Sequence, residues 1–106
     1  MTNAHFNAIV EDQMNKCATL LLSKGEEYDS DSGDRFHSFK VAAKLQNETP
    51  IQALAGMMAK HTVSIYDLMR SGSPDLAIWN EKITDHINYL FLLKGLIMDE
   101  YGGQNG

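Results

Sequence analysis

Three polar residues recur at one-turn spacing inside an otherwise apolar stretch near the C-terminus: Glu81, Asp85 and Asn88. On a helix they share a face that continues with Ile78, Tyr89, Leu92 and Leu96. The same stretch carries Trp79, Ile83, Ile87, Leu90, Phe91, Leu93 and Ile97 around the rest of its circumference, so it should be covered on most sides. Solvent cannot then account for Asp85. A carboxylate taken out of water must be paired, hydrogen-bonded or bound to a metal, because stranding it costs on the order of several kcal/mol. Two readings follow. Asp85 is the buried partner of Lys60 or Arg35, or it joins Glu81 in holding a hard cation, with the Asn88 amide beside them.

A second polar strip, Lys60, Ser64 and Asp67, runs on from the small residues Ala53 and Gly56, which permit close backbone approach or leave room for a ligand. Lys60 suits either a phosphate or a solvated helix face. The histidines His5, His37, His61 and His86 form no i, i+4 pair, so no imidazole zinc site is indicated. His61 borders an apolar stripe and reads as a core residue. His37, in the polar segment Asp34-Arg-Phe-His-Ser-Phe-Lys40, is the better ligand candidate. Between Glu26 and Gly33 lie four carboxylates, Glu26, Glu27, Asp29 and Asp31. The sequence has no Gly-rich phosphate loop, nucleophile elbow or Cys and His pair.

These residues need helices to position them. At 106 residues the chain is expected to form a single helical domain over 1–100 with a flexible tail over 101–106, its core thin unless shared with another copy. Phe6, Ile9, Val10, Met14, Cys17, Leu20 and Leu21 follow a 3.6-residue period, predicting a helix over 3–24 ended by Gly25. Asp34 can cap a second helix reaching about Gln46, with Phe36, Phe39 and Ala43 inward. Thr49-Pro50-Ile51-Gln52 reads as a capping box, and Ser73-Pro74-Asp75 repeats the arrangement. A third helix then runs from Pro50 to Arg70 and a fourth from Pro74 to Glu100. The result is an all-α bundle of about four helices, the third and fourth antiparallel.

A net charge of -5 with no Lys or Arg run excludes the broad basic surface that a nucleic acid polymer requires. Acidic groups suit a phosphate-bearing ligand that arrives with a divalent cation. The single Cys17 rules out a disulfide framework and fits a reducing compartment. No signal segment or membrane span is legible, so a cytoplasmic location with no membrane partner is expected. An all-round apolar fourth helix in so short a chain predicts a homo-oligomer.

On the residues Lys24-Gly-Glu-Glu27-Tyr28-Asp29, the Lys60 helix and Glu81-Lys-Ile-Thr-Asp85-His-Ile-Asn88-Tyr89, the chain resembles the MazG-like all-α nucleoside triphosphate pyrophosphohydrolases. Closest among them is the phage-associated nucleotide modification associated domain group. The resemblance spans about residues 20 to 98 and its motifs are short. It implies Mg²⁺-dependent hydrolysis of a nucleoside triphosphate to monophosphate and pyrophosphate, with water as nucleophile. In that family a Glu-Glu-x-x-Glu helix is followed by a Glu-x-x-Asp helix. Asp85 matches the final Asp, whereas Lys82 stands three residues before it with Glu81 one position earlier, and the preceding helix offers Lys60, His61, Ser64 and Asp67. Carried over residue by residue, Asp85, Glu81 and Asp67 or Glu27 hold Mg²⁺, and Lys60 neutralises phosphate charge. Asn88 orients substrate or a metal-bound water, Tyr28 or Trp79 stacks on a base, and His37 is a further ligand contact. The alternatives are a nucleotide-binding protein without turnover and a helical assembly module without a small ligand.

Overall fold

Thr49 and Pro50 begin a helix as their chemistry dictates. The Thr49 hydroxyl accepts from the Gln52 N–H at 3.1 Å, and the Gln52 side-chain oxygen accepts from the Thr49 N–H at 2.9 Å. Pro50 sits at the first helical position, where its missing N–H leaves no bond unmade. The structure, a computed structural model, describes residues 1–28 and 33–102, except for the side chains of 25–28. Among the described residues it holds four helices and no strand: α1 (Asn3–Tyr28), α2 (His37–Gln46), α3 (Pro50–Ser71) and α4 (Leu76–Tyr101).

Four expected boundaries move. Gly25 does not end α1, which runs through it to Tyr28. Gly25 does not take the positive φ found at Gly33 and Gly72, and a helical glycine costs only about 1 kcal/mol, too little to stop a helix that the good formers Glu26 and Glu27 extend. Asp34 caps the turn ahead of α2 instead of its first residue: its Oδ1 accepts from the Phe36 N–H at 2.9 Å, its carbonyl from His37, and α2 starts at His37. At α4 the cap is Asp75, whose carboxylate accepts from the Ala77 N–H at 3.0 Å, so Pro74 precedes the helix. Ser73 has a different task. Its carbonyl accepts from the Trp79 indole N–H at 2.9 Å, tying the connection to the first turn of α4. Trp79, a candidate base-stacking residue, thus anchors a helix start. At the other end α4 includes Tyr101.

Asn47 closes α2 in the left-handed conformation, φ 56°, while the Asn47 and Glu48 N–H groups return to the carbonyls of Lys44 and Ala43. α3 and α4, joined by residues 72–75, pack antiparallel: Ser64 meets Lys82, His61 meets Tyr89, and Leu54 shares a cluster with Leu96. As one partner's number falls the other's rises. The core is Phe39 of α2, Leu54 of α3 and Leu96 of α4, with Phe36, Ile51, Met57, Leu92 and Leu93 packed against it. α1 joins through the Gln13 side-chain amide, which donates to the buried Thr84 hydroxyl at 2.8 Å and to Cys17 Sγ at 3.3 Å. No helix of the described residues is long and apolar enough to cross a membrane.

Candidate functional site

Where the second half of α1 and the start of α2 meet the middle of α4, a cavity of about 210 Å³ opens between them, with Met57 contributed by α3. Its apolar wall includes Leu20, Leu21, Phe39 and Leu92, and its polar groups are Lys24, Arg35, Ser38, Asp85, Asn88 and Tyr89. The helical period of α4 puts Asp85, Asn88, Tyr89 and Leu92 on one side, at i, i+3, i+4 and i+7. The same period in α1 puts Leu20, Leu21 and Lys24 on another. The two helices thus hold a cation and a carboxylate at one cavity without either being sequestered.

Asn88 is the unusual group. Only 6% exposed, it has among the described residues no partner for its amide nitrogen and none for its carbonyl oxygen. Each unmet polar group of this kind costs about 1–3 kcal/mol, and native proteins carry few of them. The side chain lines a cavity large enough to bring it a partner from outside the chain. Tyr89 beside it is fixed by the His61 imidazole, ring centres 4.8 Å apart, so His61 is half-buried against an aromatic face and orients the cavity wall.

Asp85 is half-buried, and the three ion pairs among the described residues are Lys16–Asp12, Lys40–Asp34 and Lys40–Asp99. The buried pairing of Asp85 with Lys60 or Arg35 is therefore not formed. Arg35 does share the cavity with Asp85. Lys60, Asp67, Glu81 and His37 are all exposed and lie outside the cavity lining. Glu81 stands one turn before Asp85, toward the exposed start of α4. The strip expected of α3 is broken at Ser64, whose hydroxyl receives a hydrogen bond from the Lys82 ammonium and so serves helix pairing. Among the described residues no three of His, Cys, Asp and Glu come together to hold a metal ion, so Glu81, Asp85 and Asp67 form no joint metal centre. The side chains of Glu27 and Tyr28 lie outside the described residues.

Of the expected site residues, the fold brings Asp85 and Asn88 together. It adds Lys24, Arg35 and Ser38, which the sequence offered only as the first residue of the Lys24–Asp29 segment, a possible ion-pair partner and a neighbour of Phe39. For Lys24 a signal existed, since it follows Leu20 by one turn on the inward stripe of α1. For Ser38 none did.

Compared with known protein families, with curated proteins and with solved structures, the chain matches none.

Proposed function

We propose that this cavity binds a nucleoside triphosphate and that the protein is a nucleotide-processing enzyme of the pyrophosphohydrolase kind. The observation that carries the reading is the Asn88 carboxamide, buried, without a partner among the described residues and on the wall of a cavity that also presents Lys24 and Arg35. A carboxamide offers a donor and an acceptor side by side, the pattern that a nucleobase edge complements. Two cations suit the phosphates. Ligand pockets commonly reach about 300–1,000 Å³, so in this smaller cavity the base sits inside while the phosphates extend toward the cationic side.

Mg²⁺ is commonly held by one or two carboxylates together with substrate phosphates. Asp85 is the carboxylate that lines the cavity among the described residues. When bound, the ion would draw charge from the phosphates and favour attack by water. The protein's own residues bind and orient: Asn88 fixes the base, Lys24 and Arg35 the phosphates, and Tyr89, held by His61, closes the wall.

A panel of ribo- and deoxyribonucleoside triphosphates, assayed with Mg²⁺ for pyrophosphate release and in parallel by calorimetry, tests this directly. Expected is saturable binding of at least one triphosphate that weakens tenfold or more in Asn88→Ala, together with pyrophosphate release. Binding without release would favour a nucleotide-binding protein, a reading supported by the missing acidic cluster on α3. No binding at millimolar concentration to any member would reject the nucleotide altogether.

A further inference from the structure

Arg35 and Ser38 reach the cavity from the stretch that leads into α2 and from its first turn, and that stretch is seated on the last third of α4. Phe36 brings its ring up to Gly95 and packs on the core formed by Phe39, Leu54 and Leu96. One turn beyond Gly95, Asp99 accepts from Lys40 Nζ at 3.1 Å, and the same ammonium donates to Asp34 Oδ2 at 2.6 Å. Asp34 uses its other oxygen to accept the Phe36 N–H, and its carbonyl accepts the His37 N–H. The Phe36 carbonyl accepts the Lys40 N–H at 3.1 Å. Asp34, Phe36 and Lys40 thus form a closed ring of bonds around the backbone of Arg35, fastened to α4 at two points.

Lys40 does not line the cavity, so its effect there is through geometry. Gly95 follows Asn88 by two turns of one helix, a rise of about 10 Å along a stiff rod. Fastening the stretch at Gly95 and Asp99 therefore fixes the register of Arg35 and Ser38 against Asp85 and Asn88. The side chains of Lys40, Asp34 and Asp99 are 40%, 36% and 49% exposed. A lone pair at such exposure holds little, whereas one cation shared by carboxylates of two elements forms a network.

We propose that Lys40 is a positioning residue for the cavity: by joining Asp34 to Asp99 it holds Arg35 where a ligand's phosphates meet it. The inference rests on the reading of the cavity as a triphosphate site. It also carries a sign that bulk charge does not. Loss of Lys40 makes the protein more negative and loss of Asp99 makes it less so, yet both should weaken triphosphate binding. Asp99 lies in the last turn of α4, where a carboxylate opposes the helix dipole, so its removal does not fray the helix.

Calorimetry and amide hydrogen exchange on the full chain test this together. Lys40→Met and Asp99→Ala should each weaken the tightest-binding triphosphate about threefold or more. Lys40→Arg should restore it, and Lys44→Met, which removes the same charge one turn further along α2, should stay within about twofold. Lys40→Met added to Arg35→Met should cost nothing further, because both act through one group. Without ligand, the Phe36 and His37 amides should exchange about tenfold faster in Lys40→Met, while the Ala53 amide in the first turn of α3 is unchanged. Unchanged exchange at Phe36 and His37 would overturn the ring as the holder of this stretch. Triphosphate binding that is unaltered in Lys40→Met, or tighter in Asp99→Ala as charge alone predicts, would overturn the positioning role by itself. An unsubstituted protein that bound no triphosphate would instead reject the reading of the cavity, and the positioning role with it.

Discussion

The Phe36 ring brings its Cζ up to the backbone of Gly95, so closely that a Cβ built on that glycine would stand 2.5 Å from Phe36 Cζ. Phe36 precedes α2 and Gly95 lies in the last third of α4, so this contact is where the loop feeding the cavity is seated on the bundle. A helical glycine is ordinarily a weakness, worth about 1 kcal/mol on replacement by alanine. At Gly95 the ring has taken the space.

The two glycines inside the long helices α3 and α4 should therefore respond with opposite signs. Gly56 has open space around it, so Gly56→Ala should raise stability by about 0.5–1 kcal/mol. Gly95→Ala should lower it by about 1–3 kcal/mol, because Phe36 is part of the packed core. Chemical denaturation of both variants checks the pair, and a stabilised Gly95→Ala would contradict the contact.

Asn88 predicts a trade between stability and function. Replacing it with Leu removes two unmet buried polar atoms, so the melting temperature should rise, by the equivalent of about 1–3 kcal/mol. Triphosphate binding should fall below detection in the same variant. A melting temperature that drops instead would mean that Asn88 already has a partner in solution.

For Asp85 the absence of an ion pair among the described residues sets the expectation. Asp85→Asn should stay within about 1 kcal/mol of the unsubstituted protein, instead of losing the 3–5 kcal/mol that breaking a buried pair costs. Mg²⁺-nucleotide affinity should fall while affinity for the metal-free nucleotide holds. Thermal melts with and without ligand distinguish the two effects.

Lys40 bridges Asp34 at 2.6 Å and Asp99 at 3.1 Å, joining the loop before α2 to the end of α4. The hydrogen bond from Lys40, followed by the one from the Phe36 N–H, holds the Asp34 carboxyl below its ordinary 3.8. Hydrogen bonds to Asp34 and then Asp99 raise Lys40 above 10.5. A depressed carboxyl stabilises above 3.8 and loses that contribution as pH falls through the lowered value. A raised ammonium stabilises below 10.5 and loses it as pH rises further. Lys40→Met should accordingly show a smaller drop in melting temperature between about pH 7 and about pH 3, and because these groups are substantially exposed the difference should shrink in high salt.

How much of this was legible in the sequence differs by kind of signal. Short-range chemistry was: Thr49, Pro50 and Gln52 carry the start of α3 in their own side chains, and the 3.6-residue period from Phe6 to Leu21 is α1 without reference to anything else. Gly25 misled because glycine ends a helix only where the backbone turns left-handed, which the following residues decide. The pairing of Asp85 and Asn88 on one face of α4 also follows from spacing alone. Periodicity could not say which polar residue on that face is covered, since Glu81, one turn before Asp85, lies beyond the cavity and reaches water. Nor could it foresee that Lys82 and Ser64 would be spent holding α3 to α4, or that Arg35 and Ser38 would arrive at the cavity from another element. A helix fixes the angles of its own side chains through local hydrogen bonds, whereas what meets each face depends on how separate helices pack, and only the tertiary structure decides that.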